Sequence, residues 1–225
     1  KLKIGELKQN AQGKDYPSKL DYIKAVDGAG NKVATFHAVY GPKPKEFMAM
    51  FHSNDPKDFF WEAYRRYGSG TGLACHGDGT CAIIEATGET IKCPCQHAQP
   101  TVKNDKEYPP ACKVTQSVLL WLYEVPELGL FQIDTSGFRS MSNLKWFITE
   151  GLPSLSGGQI AGIPIRVLIE PFQAVHDGKQ SLAYQWKFAL APDMKPADVR
   201  AAALSAVEGF VIPGFAAHQQ IDESK

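Results

Sequence analysis

Ser117-Val-Leu-Leu-Trp-Leu-Tyr-Glu-Val125, then Pro126-Glu-Leu-Gly129, then Leu130-Phe-Gln-Ile-Asp-Thr135 reads as strand, turn and returning strand. Two short runs rich in apolar and aromatic residues, separated by Pro and Gly, are the signature of a β-hairpin. The same grammar recurs twice. Tyr22–Val26 and Val33–Tyr40 flank the turn sequence Asp27-Gly-Ala-Gly-Asn31, and Ile163–Ile169 and Leu182–Leu190 flank a bend at Asp177-Gly178. Glu46-Phe-Met-Ala-Met-Phe51 alternates as a further strand. The first twenty residues are polar and read as an extended arm or an edge strand.

Three helices are expected between these hairpins. Asp55-Pro56 has the form of an N-cap followed by a first-turn proline, opening a helix over Lys57–Tyr67 that stops at Gly68. Its aromatic residues Phe59, Phe60, Tyr64 and Tyr67 recur near helical spacing, as a core-facing stripe would. A second helix spans Leu144–Glu150, with caps offered by Ser140–Asn143 and a stop at Gly151. A third runs from Pro196 to Glu208 and leaves a loose tail. Strands and helices do not alternate as βαβ units, so the fold class is α+β: a hairpin-rich antiparallel body, barrel or sandwich, with a few short helices.

All five cysteines fall in one window: Cys75-His-Gly-Asp-Gly-Thr-Cys81, Cys93-Pro-Cys95-Gln-His97 and Cys112. Seventeen residues separate Cys75 from Cys93, and sixteen separate Cys95 from Cys112. A soft dication needs four ligands converging on one point, and clustered thiols supply them. Cys75, Cys93, Cys95 and Cys112 are therefore read as a closed structural Zn2+ site, with Cys81 left over. His76 or His97 replacing one sulfur, or Cys81 replacing Cys75, stays open. Disulfides account for the pattern less well, because the count is odd and Cys-x-Cys neighbours bridge poorly. Within the window, Ala82–Ala86 and Thr90–Cys93 read as short strands around Gly88-Glu89. Residues 68–112 then form an inserted zinc-ribbon-like module, and 1–67 with 113–225 form the main domain.

At 225 residues, 44% hydrophobic and 11% aromatic, the chain has material for a full core. No apolar run is long enough to suggest a membrane span. Formal net charge is zero, with 24 basic and 24 acidic residues, which argues against non-specific coating of duplex DNA. Free thiols at metal spacing point to a reducing cytoplasm. No nucleophile elbow, phosphate loop, zincin helix or dinucleotide fingerprint is present. Gly77-Asp-Gly79 reads as a turn supporting Cys75 rather than a catalytic aspartate loop.

Several segments together resemble a known family. They are Pro17-Ser-Lys-Leu-Asp21, Tyr40-Gly41 with Pro44-Lys45-Glu46 and Met50-Phe51, Tyr64 with Tyr67-Gly68, Leu73-Ala-Cys75-His-Gly77-Asp-Gly79, Cys93-Pro-Cys95, Cys112, Glu124–Gly129, Gln132–Ser136 and Gly162-Ile-Pro164. Over roughly residues 3–190 the chain is similar to the recombination-directionality-factor-like family of phages and prophages. The resemblance implies a non-enzymatic accessory protein in the bacterial host cytoplasm that binds a large serine integrase and switches recombination from integration to excision. It also implies that Cys75, Cys93, Cys95 and Cys112 are the recurrent cysteine positions and Cys81 an extra. Partner contact is expected first at the apolar tail residues Val211, Ile212 and Phe215. The alternative is a single-stranded DNA-binding protein that stacks bases on Trp121, Tyr123, Tyr184 and Trp186, although packing explains those rings more simply.

Overall fold

The computed structural model describes residues 1–13, 15–68, 72–103, 105–125, 128–176 and 178–209. In chain order come β1 (Leu2–Gln9), β2 (Asp15–Ala25), α1 (Ala34–Tyr40), β3 (Glu46–Met50) and β4 (Phe60–Gly68). β5 (Gly72–Gly77), β6 (Cys81–Ile84), β7 (Thr90–Lys92), β8 (Thr101–Lys103) and β9 (Lys106–Tyr108) follow. Then come β10 (Cys112–Leu122), β11 (Leu130–Thr135), α2 (Phe138–Trp146), α3 (Leu152–Ser156), β12 (Ile165–His176), β13 (Lys179–Leu190) and α4 (Pro196–Gly209). The architecture is α+β and dominated by one large sheet.

The expected hairpin at 117–135 is the spine of that sheet. β10 and β11 pair from Gln116↔Thr135 to Trp121↔Leu130. β10 is long enough for its other edge to fork. Its first part, Cys112–Val118, pairs with β4, while Trp121 and Leu122 pair with Met50 and Ala49 of β3. One branch continues β3–β12–β13, and the other runs β4–β5–β6–β7 as an arm. On the far side β11 meets β1 at a single parallel position, Leu2↔Ile133, and β1 pairs with β2.

Period-two alternation fills the body. Phe47, Ala49 and Phe51 point inward, as do Val118, Leu120 and Leu122; Phe131 and Ile133; Ile165, Val167 and Ile169; and Trp186 and Phe188. Leu144, Phe147, Ile148 and Leu152 of the helical segment and Val199 of α4 complete the core. The Phe51 and Phe59 rings stack with centroids 4.5 Å apart.

Among the described residues no closed barrel forms, and the reason lies at the seam. The Pro44 carbonyl accepts the Ile23 N–H at 2.7 Å, and the Lys45 carbonyl accepts the Ile169 N–H at 2.9 Å. The chain entering β3 thus lies between β2 and β12, and Pro44 has no N–H with which to carry a ladder across. At the other edge α2 blocks pairing. Ser140 Oγ accepts the Trp186 N–H and Asn143 Oδ1 accepts the Phe188 N–H, at 3.0 and 2.7 Å. One turn of helix covers the backbone donors that an open edge would present.

Three expected elements take other forms. Val33–Tyr40 is not a strand, since 34–40 is α1, and Lys24 and Ala25 pair instead with Lys3 and Leu2 of β1. Positions 33, 36, 37 and 40 make a helical stripe as well as 34, 36, 38 and 40 make a strand face. The aromatic pocket decides between them: Phe36 is fully buried between Tyr40, Phe47 and Phe131. Lys57–Tyr67 is not a helix. Asp55 does cap, accepting the Lys57 N–H at 2.9 Å, but it caps only the short 3-10 turn Pro56–Asp58. The chain then enters β4, whose ladders with β10 and β5 override the aromatic spacing. The middle helix begins at Phe138 and passes through a π-helical turn, Phe147–Gly151, into α3. Gly151 does not end it, because its missing Cβ makes room for the Trp146 ring, which would lie only 2.8 Å away. The helix stops at Gly157, which is left-handed at φ 68°.

Candidate metal centre

The arm brings the cysteines together through strand parity. Cys75 stands opposite Arg66 on the β5–β4 ladder, and Arg66 stands opposite Cys112 on the β4–β10 ladder. Directly opposed residues project from the same face, so Cys75, Arg66 and Cys112 form one row across three strands. The loop after β7 carries Cys93 and Cys95 onto that face, and its short 3-10 turn Gln96–Ala98 includes His97. All four predicted thiols, with Arg66 and His97, line one cavity of about 250 Å³. Cys75 is buried, and Cys93, Cys95 and Cys112 are half-buried.

Parity also sorts the alternative ligands. Cys75 stands opposite Ile84 on the β5–β6 ladder, so Ala82 shares its face and Cys81 takes the other side, where it is exposed. His76 shares that opposite face, with Nδ1 2.5 Å from the Glu85 carboxylate. Of the residues left open by spacing alone, only His97 reaches the thiol cavity.

The turn joining β5 to β6 explains the glycines. A Cβ on Gly77 would lie 2.2 Å from the Cys81 carbonyl oxygen, and Gly79 sits at φ 98° against the Tyr64 ring. Asp78 Oδ1 accepts the N–H groups of Cys81 and Thr80 at 2.9 and 2.7 Å, and these bonds hold its carboxyl below the usual carboxylate range. The carboxylate is committed to its own turn, as expected for a supporting loop.

Burial pushes the Cys93 and Cys112 thiols up, and the neighbouring cysteine sulfurs push them further. Sulfurs crowded in this way are chemically suited to a shared dication, which offsets the repulsion by stabilising thiolates. Four thiols without an open position match a structural zinc site rather than a catalytic one. Among the described residues, however, no three His, Cys, Asp or Glu side chains stand close enough to hold a metal ion as placed. Cys75 and Cys112 lie two strand spacings apart, roughly 9–10 Å between backbones. A single ion bonded at about 2.3 Å to each sulfur would require inward rotamers and a curved arm. The donor set suits zinc by its chemistry, while the four sulfurs do not converge on one point.

This cysteine face and its supporting strands lie inside a longer correspondence. Residues 1–197 match the model of the Gp3-like family, described as recombination directionality factor-like. The chain belongs to this family. No curated protein matches significantly, and no solved structure does either. The recombination directionality factor-like match takes in the whole sheet, the arm and α2–α3, and it ends just inside α4.

The other site residues expected from sequence are dispersed. Trp186 is 2% exposed in the core, so its ring cannot stack on a base; Tyr184, on the same strand face, packs half-buried against that core. Trp121 and Tyr123 flank the inward-facing Leu122 and share the outer side, where Trp121 is half-buried and Tyr123 is 55% exposed. Val211, Ile212 and Phe215 lie outside the described residues and beyond the family match. Sequence reading missed Arg66, whose place between Cys75 and Cys112 depends on the registers of β4 with β5 and β10. Among the described residues no helix is long and apolar enough to cross a membrane.

Proposed function

We propose that this protein is a non-catalytic accessory factor of DNA recombination that binds a large serine integrase and switches its direction. Zn2+ held by Cys75, Cys93, Cys95 and Cys112 is the structural clamp of the arm. Family membership over residues 1–197 carries the reading. Zero net charge supports action through a protein partner, because counterion release then contributes little to bare-DNA binding. The metal has a physical task here. It ties β5, the loop after β7 and β10 together where apolar burial is too small to do so, and a filled four-sulfur shell leaves no position for substrate.

The test is recombination by a large serine integrase from the same phage, on integrated and unintegrated DNA substrates, with and without this protein. Excision is expected to rise and integration to fall, and the two proteins are expected to copurify. No change in either direction and no association would overturn the reading. Tight binding of single-stranded oligonucleotides at physiological salt would favour direct DNA binding instead.

A further inference from the structure

Arg65 and Arg66 are neighbours with opposite circumstances. Arg65 points to the face away from the cysteines, where it donates to Ser117 Oγ at 3.0 Å and lies 3.3 Å from the Asp134 carboxylate. Arg66 points into the thiol cavity, between Cys75 and Cys112, and its Nε is buried without a hydrogen-bond partner. A guanidinium is always charged, and burying part of it without an anionic partner is costly. Its neighbours across the two ladders are the thiols of Cys75 and Cys112, uncharged when protonated. Four thiolates on one divalent ion carry two surplus negative charges, and that state would satisfy Arg66.

We propose that Arg66 is the positioning and charge-compensating residue of the thiolate site. Its guanidinium lies between the Cys75 and Cys112 sulfurs, donates N–H···S bonds to them once they are thiolates, and offsets the surplus charge of the metal cluster. This rests on the zinc reading above. The placement is specific to this register, because a shift of one residue on β4 would exchange Arg66 for Arg65 and turn the charge to the other face. Outer partners of metal ligands orient the donors and raise affinity, typically by 10–100-fold.

The experiment uses the full chain and its Arg66→Leu, Arg66→Gln and Arg66→Lys variants, with zinc affinity measured by chelator competition. Cobalt(II) substitution reports the thiolate charge-transfer band, and circular dichroism confirms the fold. Arg66→Leu is expected to weaken zinc by about 10–100-fold and to shift the cobalt band. Arg66→Gln, which retains a donor, should lose less, and Arg66→Lys, which retains the charge, should recover most of the affinity. A purely structural arginine would not show this ordering by charge, nor move the band. If the wild type holds one zinc while all three variants match it in affinity and spectrum, Arg66 has no such role and the zinc reading stands. If the wild type holds no zinc, both fall together, so its metal content tells the two failures apart.

Discussion

In the body, β3, β10, β11, β12 and β13 each send a row of apolar side chains inward, with Phe51, Val118, Leu120, Leu122, Ile133, Ile165 and Val167 at 0% exposure. In the arm, the described residues from 72 to 111 bury only Cys75 and Ala82. Strand pairing continues from β10 through β4 to β7, with one register shift between Arg66 and Tyr67, so hydrogen bonding alone does not distinguish the two regions. Side-chain burial does. Stabilisation at about 25 cal/mol per Å² of apolar surface is available to the body and largely unavailable to the arm. One sheet thus has two regions, a body with an apolar core and an arm whose described residues bury little beyond Cys75 and Ala82.

The largest expected effect is on the metal proposed for the arm. Cys93→Ser, or a strong chelator, should abolish stoichiometric zinc, removing an interaction on the order of 10 kcal/mol. Hydrogen exchange should then speed up over β5–β7 and the 93–99 loop while the β10–β11 and β12–β13 ladders keep their protection. Uniform loss across the sheet would erase the contrast between arm and body.

Trp186→Ala strikes the other region. Truncating a ring that is 2% exposed and packed in the core should cost about 3–5 kcal/mol in denaturant melts while leaving zinc content intact. A loss below 1 kcal/mol would mean that the ring is not a core residue.

A smaller, pH-dependent effect belongs to the junction of the two regions. Burial of Asp134 works against its ionisation, but hydrogen bonds from Ser117, Lys1 and Gln132 outweigh this and bring its pKa down to about 2. A carboxyl depressed in the folded state stabilises fully above its unfolded value of about 3.9, and that contribution is lost as pH falls toward 2. With a quarter of the side chain in solvent (24%), about 1–2 kcal/mol is at stake. The stability gap between wild type and Asp134→Asn should therefore narrow between about pH 4 and pH 2, and a flat gap would contradict the assignment.

Cys81→Ser should do least. Its side chain is exposed on the face opposite the cavity, so stability should change by less than about 0.5 kcal/mol and zinc content not at all. Loss of metal in this variant would mean that the parity of β6 has been assigned to the wrong face.

Local chemistry made much of this legible. The hairpins at 117–135 and 163–190 have the turn residues and β-rich flanks that specify them, and Pro196 starts its helix as expected. The cysteine window announced that four thiols belong together, and the fold gathers those four on one face. Two segments misled, each for a nameable reason. Val33–Tyr40 carries both a two-residue and a helical period, and only the pocket formed by Phe47 and Phe131 selects the helix. Phe59, Phe60, Tyr64 and Tyr67 suggested a helix, yet 60–68 pairs on both sides as β4.

The amino-acid order by itself determined the strand-rich class, several of the turns, the clustering of the cysteines and the family, because these depend on residue type and short-range spacing. Only the tertiary structure decided that Cys81 and His76 turn away while Arg66 turns in. Facing is set by register, a property of two strands together, and no single strand's sequence contains it. The absence of barrel closure among the described strands is a decision of the same kind. Pro44 was visible from the start, but that its carbonyl would sit in the seam between β2 and β12 follows from how distant strands meet.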